Sequence, residues 1–384
     1  MNLQPRPSSP IRAAIAVEQT LGHVTHYRNL RDFAGQQTAI EPVWLPIPFD
    51  VNGPLRMVPL LRSNWSVRAS WRARRAVERV LARTHLDALV FHTQVTSLFS
   101  CSLMRRIPSI ISLDATPINY DEVGRYYGHR AAGDGFVDRQ KYRMNRSSLH
   151  AAAHLVTWSE WTKRSLIEQY DVPAERVTIL APGAARGYFD IGQQRGMTAS
   201  AAAPGKPVRI LFVGGDFERK GGPALLEAMR GPLGELCELH VVTQANVPVA
   251  HNVHVHRGVH ANSPELLRLF AESEIFVLPT MADCLAVVLM EATAAGLPVI
   301  TTTVGALSEA VRHNESGLLI PPGDARELTE AISALAADPQ LRQRMGRAGH
   351  ALARDKYDAH RNNGALFDLI SELASEQPEQ RRVA

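Results

Sequence analysis

From residue 208 onward, short apolar and β-branched runs alternate with amphipathic stretches. The runs are VRILFVGG (208–215), LHVVTQ (239–244), NVHVHRG (252–258), EIFVLPT (274–280) and LPVITTT (297–303), and between them lie PALLEAMRG, SPELLRLFAES and VVLMEATAAG. The runs read as strands and the longer stretches as helices. Strands apolar almost throughout, each separated from the next by a helix, belong to a parallel sheet covered on both faces. The second half therefore predicts a doubly wound α/β domain. The first half repeats this grammar, with IRAAIAV, LDALVFHTQ, PSIISLD, AHLVTWSE and RVTILAPG as strand candidates and RASWRARRAVERVLAR as a helix. It predicts a second Rossmann-like domain.

Between the two, IGQQRGMTASAAAPGKP (191–207) is rich in Gly, Ala, Ser and Gln without periodicity and reads as a linker. The expected organisation is a domain over 1–190, a linker over 191–207, a second domain over 208–358, and a tail segment over 359–384. That last segment opens with the helical pattern AHRNNGALFDLISELASEQ, which can return to the first domain. No repeat of solenoid period is present. Two such domains face one another across a cleft, and the crevice outside the carboxyl ends of their strands is the expected ligand site.

Bulk composition narrows the function classes. The chain has 384 residues, 45% hydrophobic and 21% charged, as ordinary globular chains do, and its length suits two cores. A net charge of +4 is too small an excess to point to nucleic acid, yet it suits an anionic ligand or an acidic membrane surface. Cys101, Cys237 and Cys284 are far apart and odd in number, with no Cys-x-x-Cys pair or nearby histidine spacing to mark a disulfide framework or a zinc site. A cytoplasmic setting is the expectation. The N-terminus lacks the apolar core of a signal peptide, and no run of about 18 apolar residues spans a bilayer.

Two segments carry candidate chemistry. In LFVGGDFERKGG, a strand ends at Gly214 and Gly215, and Arg219 and Lys220 follow at its carboxyl end, where cations and close backbone suit a phosphate. The segment is neither a Walker loop nor a GxGxxG fingerprint, so a solvated basic turn is the competing reading. In MADCLAVVLMEATAAGLPVI (281–300), Asp283 and Glu291 stand eight positions apart among apolar residues. Asp283 is expected to cap a helix and Glu291 to lie two turns inside it, about 12 Å along the axis. That separation is too long for one metal or a shared proton, and it fits two hydroxyl-bearing rings joined by a diphosphate. A carboxylate buried at Glu291 needs donors, which ribose hydroxyls supply.

The run PTMADCLAVVLMEATAAGLPVITTTVGALSEAVRHNESGLLIPPGD resembles the donor segment of glycosyltransferase family 4, the retaining enzymes of GT-B fold, and LFVGGDFERKGG resembles the family's basic loop. The likeness is dense over 208–340, moderate over 154–189 and weak before that. It implies that Asp283 bonds hydroxyls of the donor sugar, that Glu291 bonds the ribose, and that Lys220, with Arg219 beside it, holds the diphosphate. The backbone of Leu285 and Ala286 would meet the phosphate at a helix N-terminus. Gly22, in TLGHVTHYRN (20–29), is the counterpart of the family's glycine loop in the first domain. The donor is then a UDP- or GDP-sugar acting as substrate, with no cofactor, and the lack of an Asp-x-Asp motif implies metal independence.

The chain also departs from the family. The first acid is Asp283 where Glu is usual, Gly215 stands where an arginine is common, and Cys284 and Ala286 replace glycines. The usual His-Asp pair reads Leu113-Asp114. On the acceptor side, Asp114, His23 and His26 are the candidates, with His92 and His129 behind them; a lone histidine is more often structural or solvated.

The implied mechanism is electrostatic, with fixed cations stabilising the departing nucleoside diphosphate. The basic helix bearing Arg68, Arg72, Arg74, Arg75, Arg79 and Arg83, with Trp65 and Trp71, is a candidate for peripheral contact with an anionic membrane and otherwise a solvated face. A non-catalytic nucleotide-sugar-binding scaffold and an epimerase or phosphorylase on the same architecture stand as alternatives. The acceptor is not legible in the residues.

Overall fold

The computed structural model describes residues 10–19, 22–48, 64–128, 131, 133, 135–197, 206–248 and 250–376. They form two parallel six-stranded sheets flanked by helices. The first contains β1 (Ile11–Gln19), β2 (Ile40–Pro48), β3 (Ala88–His92), β4 (Ser109–Leu113), β5 (His154–Thr157) and β6 (Val177–Ile179), in the order β2-β1-β3-β4-β5-β6. The second contains β7 (Val208–Val213), β8 (Cys237–Val242), β9 (Val253–His256), β10 (Ile275–Leu278), β11 (Val299–Thr302) and β12 (Gly317–Ile320), in the order β12-β11-β10-β7-β8-β9. β3, β4, β10 and β11 are buried at every position, as strands covered on both faces must be.

Each order has one switch point. The chain lays β2 on one side of β1 and β3 on the other, and it lays β8 on one side of β7 and β10 on the other. The helices after neighbouring strands diverge there and leave a crevice at the carboxyl ends.

Two strands escape the sequence pattern. β2, IEPVWLPIP, contains Pro42, Pro46 and Pro48, which argue against a strand, but it pairs only with β1, and an edge strand can leave one row of N–H positions empty. β12 is four residues long and also an edge.

The linker reading of 191–207 is corrected. Residues Arg186–Met197 form a helix that packs against the helices Pro264–Glu272, Val287–Ala294 and Pro339–Lys356. Gly192, whose type suggested a linker, is the contact point: a Cβ there would lie 2.2 Å from the Ala294 carbonyl oxygen and 2.2 Å from His350 Nδ1. Residues 198–205 and the tail from 377 lie outside the described residues.

Several contacts join the halves. Ala115 and Val123 pack with Ala282 and Cys284, and Tyr120, Tyr127 and Trp161 lie against that cluster. The Glu309 carboxylate accepts from the backbone N–H groups of Glu160 (2.8 Å) and Trp161 (2.9 Å), the first two residues of the Glu160–Tyr170 helix. This anion sits at the positive end of a helix dipole. The final helix, Ala359–Ser375, packs against the His23–Ala34 helix and β1, with Leu366, Phe367 and Ile370 in the first sheet's core.

In the basic helix, now bounded as Trp65–Leu81, Arg68 is buried with its guanidinium 5.3 Å from the Trp65 ring centroid, and Arg75 lies 5.1 Å from that of Trp71. Arg72 donates to the Pro48 carbonyl, and Arg74 to Glu78 and the Phe99 carbonyl. Arg68, Arg72 and Arg74 are thus engaged within the protein, whereas Arg75, Arg79 and Arg83 are exposed. Among the described residues, no helix is long and apolar enough to cross a membrane.

Gly192→Ala is expected to lower stability by at least about 2 kcal/mol, because backbone and the half-buried His350 must move. Gly196→Ala, with nothing within 4 Å of its Cβ, is expected to change stability by no more than about 0.5 kcal/mol. Urea unfolding of both variants measures the contrast.

Candidate active site

The second sheet's switch point lies between β7 and β10, and the two loops leaving those strands meet there. Gly221, at φ +83°, lets the β7 loop touch the β10 loop, since a Cβ at this position would lie 2.1 Å from the Pro279 carbonyl oxygen. Met281 N–H donates to the Arg219 carbonyl at 2.8 Å, and the Thr280 hydroxyl bonds the same carbonyl at 3.2 Å. With the backbones thus locked, Lys220 Nζ donates to Asp283 Oδ2, and Arg219 lies 3.6 Å from the same oxygen. Thr280 Oγ1 is 3.3 Å from it as well. Arg219, Lys220 and Asp283 therefore form one cluster.

The cluster alters two expectations. Asp283 does not cap the following helix, which runs Val287–Ala294 with Ala286 as N-cap and no side-chain cap. Half of the eight-residue spacing is loop, because Asp283 is drawn toward the two cations, and the 12 Å helical estimate fails with it.

Arg219 is buried and already committed. Its Nε meets Asp216 at 3.0 Å, a terminal nitrogen donates to Tyr127 Oη at 3.0 Å and to the Ala282 carbonyl, and the guanidinium carbon lies 4.3 Å from the Tyr127 ring centroid. It fixes Asp283 and the β10 loop, leaving Lys220 as the cation of the pair that can reach a ligand. Gly214 lies against Lys220 and Phe212, whereas around Gly215 nothing comes within 4 Å of a built Cβ.

Leu285 and Ala286 are buried at the start of the Val287–Ala294 helix, which has no side-chain cap; in its first turn Leu289 N–H turns back to the Ala286 carbonyl at 3.0 Å, ahead of which lie the N–H groups of Val287 and Val288. An anion fits such an end. Gly22, the N-cap of the His23–Ala34 helix, faces this turn from the other domain, with a built Cβ 3.8 Å from Val287 Cγ2.

One turn further along the same helix, Glu291 is buried, and burial pushes its carboxyl up to about 7. The Tyr188 hydroxyl faces it and tempers the rise, yet makes no hydrogen bond of normal geometry. Nearby, Asn262 Nδ2 donates to Asn29 Oδ1 at 2.8 Å across the domains, leaving Asn262 Oδ1 and Asn29 Nδ2 buried and unpartnered. Buried polar groups are nearly always paired, so a group of such atoms beside a buried acid marks a ligand's place. Gly22, His26 and Asn29, at i, i+4 and i+7, share one face of their helix.

The first sheet's switch point, between β1 and β3, holds a second polar group. His23 Nδ1 lies 3.0 Å from His92 Nε2, and His23 Nε2 lies 3.1 Å from Glu18 Oε1 and 3.9 Å from Asp114 Oδ2. His92 stacks on Trp158 at 5.6 Å between centroids, and His26 meets that ring edge-on at 5.5 Å. Burial pushes His26 down to about 3 and His92 well below its ordinary value, so both are neutral near pH 7. Their Nδ1 atoms and Trp158 Nε1 are buried without a partner. Asp114 also faces the Cys284 thiol of the other domain, one of several causes, after burial, that raise that thiol's pKa.

Sequence reasoning singled out Lys220, Asp283, Glu291, His23, His26 and Asp114, but it passed over Glu18, Tyr127, Trp158, Tyr188, Asn29 and Asn262. Glu18 was open to notice, as the one acid in an apolar strand. The others are ordinary in sequence and gain significance only from what the fold sets beside them. His129 lies outside the described residues.

Comparison with known proteins adds to this geometry. Residues 207–338 match the family model described as glycosyl transferases group 1, and residues 34–183 match the glycosyl transferase 4-like domain. A D-inositol 3-phosphate glycosyltransferase of Corynebacterium diphtheriae is 27% identical over 272 residues, 63% of this chain and 63% of that protein, so the match spans less than two thirds of the relative's length. Among solved structures, sucrose-phosphate synthase of Thermosynechococcus elongatus aligns at TM-score 0.74 and 17% identity, covering 96% of this chain and 100% of that one. Anabaena Alr3699/HepE, solved in complex with UDP-glucose, aligns at TM-score 0.65 and 15% identity, covering 94% and 100%. The ordered motifs, the two facing parallel sheets and both family matches agree: the chain belongs to glycosyltransferase family 4, on the GT-B fold.

Proposed function

We propose that the chain transfers a hexose or related sugar from a nucleoside diphosphate to a hydroxyl of an acceptor, with retention at the anomeric carbon. The observation that carries this is the Lys220–Asp283 pair at the β7/β10 switch point, with Glu291 buried one helix turn beyond an uncapped helix start. The diphosphate lies between that start and Gly22, with Lys220 against it and Gly214 and Gly215 giving its backbone room. Glu291, with Tyr188, Asn262 and Asn29 around it, takes the ribose, and Asp283 takes hydroxyls of the transferred sugar. A UDP-sugar is the first donor to test, in keeping with the UDP-glucose complex of the Anabaena neighbour. A phosphorylated polyol is the first acceptor, in keeping with the name of the corynebacterial relative.

As the anomeric bond breaks, negative charge grows on the departing diphosphate, and the Lys220 ammonium and the helix N-terminus stabilise it where it forms. Lys220 exchanges its ion pair with Asp283 for one with phosphate, which leaves Asp283 free to accept from the sugar. Attack comes from the face the diphosphate leaves, and a leaving-group oxygen takes the acceptor proton. On the opposite wall, His23 donating from Nε2 to Glu18 would accept from His92 Nε2–H. His92 Nδ1, buried without a partner, then keeps a lone pair that suits a substrate hydroxyl. Reaction without a metal is part of the proposal. Any contact with an anionic membrane rests on the exposed Arg75, Arg79 and Arg83.

Lys220→Ala is expected to lower kcat by about 10²–10³-fold with the fold intact, read as nucleoside diphosphate released from a UDP-sugar and acceptor panel. Unchanged turnover would remove the electrostatic role, and donor binding without transfer by the wild type would make the chain a binding protein. Activity that survives chelation of divalent ions is the matching expectation for metal independence.

Glu291 gives a pH signature. Its carboxyl ionises near 7 in the native chain against an ordinary 4.5, so the native state holds more protons between those values and stability falls as pH rises through them. The fall is on the order of 3 kcal/mol and disappears in Glu291→Gln, as thermal melts across this range would record. Ribose hydroxyls donating to the carboxylate favour its ionised form. Nucleoside diphosphate binding near pH 6.5 is therefore expected to release a proton, visible by calorimetry in buffers of different ionisation enthalpy and absent in the Gln variant.

A further inference from the structure

A second cluster of ligating side chains stands away from the cleft, on the β7-β8-β9 side of the second sheet. Register brings Arg209 of β7 opposite Glu238 of β8, and His240 of β8 opposite His254 of β9. Side chains two apart on a strand share a face, so Glu238 joins His240, and His256 joins His254. Arg209, Glu238 and His254 are each the second residue of their strand, toward the amino ends, whereas Lys220 and Asp283 follow carboxyl ends.

One ligand atom each of Glu238, His240 and His254 lie within 4.8 Å of one another. Glu238 Oε1 is 3.3 Å from His240 Nε2, and Glu238 Oε2 is 3.8 Å from His254 Nε2. A tetrahedral zinc ion bound at about 2.1 Å sets its ligands about 3.4 Å apart. The two carboxylate–imidazole separations, one to each oxygen, lie within tenths of an ångström of that, and the group as a whole, within 4.8 Å, draws in around the ion by side-chain rotation. Two further contacts hold the group in place. His240 Nδ1 lies 2.9 Å from His256 Nε2, and a hydrogen bond donated by His240 there leaves its Nε2 lone pair turned to Glu238. In the other tautomer His240 Nε2–H donates to Glu238 Oε1 and no cation is needed, so a bound ion would select the first. Arg209 Nε holds Glu238 Oε1 at 2.6 Å, and Glu272 balances the guanidinium at 2.6 Å. The His254 side chain is 46% exposed, which gives an entry path.

We propose that Glu238, His240 and His254 bind a divalent transition-metal ion of zinc type, with His256 orienting His240 and a fourth position left to water. Two imidazoles and one carboxylate select such an ion over magnesium or calcium. The ion ties β9, the outermost strand, to β8. The site is structural and separate from sugar transfer.

The test uses the full chain, free of any polyhistidine tag and stripped with chelator, dialysed against Zn²⁺ and assayed for bound metal. One equivalent is expected, with a rise in Tm that grows with free Zn²⁺. Co²⁺ in its place is expected to give the visible ligand-field absorption of a four- or five-coordinate nitrogen and oxygen site. His254→Ala, at an exposed position that leaves folding undisturbed by circular dichroism, is expected to abolish both signals. His256→Ala is expected to keep the stoichiometry and weaken binding about 10-fold or more. The proposal is overturned if the stripped wild type takes up no Zn²⁺, or if His254→Ala or the double variant His240→Ala/His254→Ala still binds one equivalent with the same Co²⁺ spectrum.

Discussion

The Lys220–Asp283 ion pair is the constraint around which the candidate site is arranged. It joins the loops that leave β7 and β10, the two strands whose helices part at the switch point. Two charges this close to the interior are tolerable only when paired and hydrogen-bonded. Thr280 and Arg219 supply the remaining partners of Asp283, and Gly221 permits the loops to touch. The pair also holds the site ready in the absence of substrate. An ammonium already desolvated and aimed at the crevice needs little reorganisation when phosphate replaces carboxylate, and that preorganisation is what electrostatic catalysis requires.

The same logic extends across the domains. Arg219 stacks on Tyr127, Asp114 faces Cys284, Asn29 meets Asn262, and Glu309 caps a helix of the first domain. Each contact links the second domain to an element that follows the carboxyl end of a strand in the first sheet. Between them lie buried polar atoms without partners: Tyr188 Oη, Asn262 Oδ1 and Asn29 Nδ2 on one side, and His26 Nδ1, His92 Nδ1 and Trp158 Nε1 on the other. Orphaned atoms in a well-packed interior cost free energy unless something else satisfies them. Their two groupings fit a ligand with hydroxyls at both ends.

Much of the fold was legible because buried parallel strands write themselves as apolar runs, and ten of the twelve did so. β2 and β12 were not, since an edge strand can carry prolines or shrink to four residues without breaking the sheet. Residues Arg186–Met197 looked like a linker because the glycine that allows close helix packing at Gly192 has the same letter as one that confers flexibility. Lys220 and Asp283 could be found by motif, but not the direct bond between them. A cap was expected at Asp283 from local rules, and the tertiary pull of two cations prevailed. The histidine groups were legible only as letters; register and strand order, which spacing does not encode, bring His23 to His92 and His240 to His254.

The departures from the family pattern form one compensated change. Where an arginine is common, Gly215 leaves open space, and the guanidinium instead reaches Asp283 from the buried side through Arg219. Asp283 is one methylene shorter than the usual glutamate, so the carboxylate is withdrawn toward those cations. Two cations thus remain at the site, with Arg219 on the buried side of Asp283. The space gained lies beside Gly215, next to where the phosphate and sugar of a donor would meet. On the proposed reading, in which Asp283 takes the donor sugar and Lys220 the diphosphate, such a rearrangement bears on sugar choice more than on the electrostatics of departure, because the Lys220 ammonium still pairs at the same site.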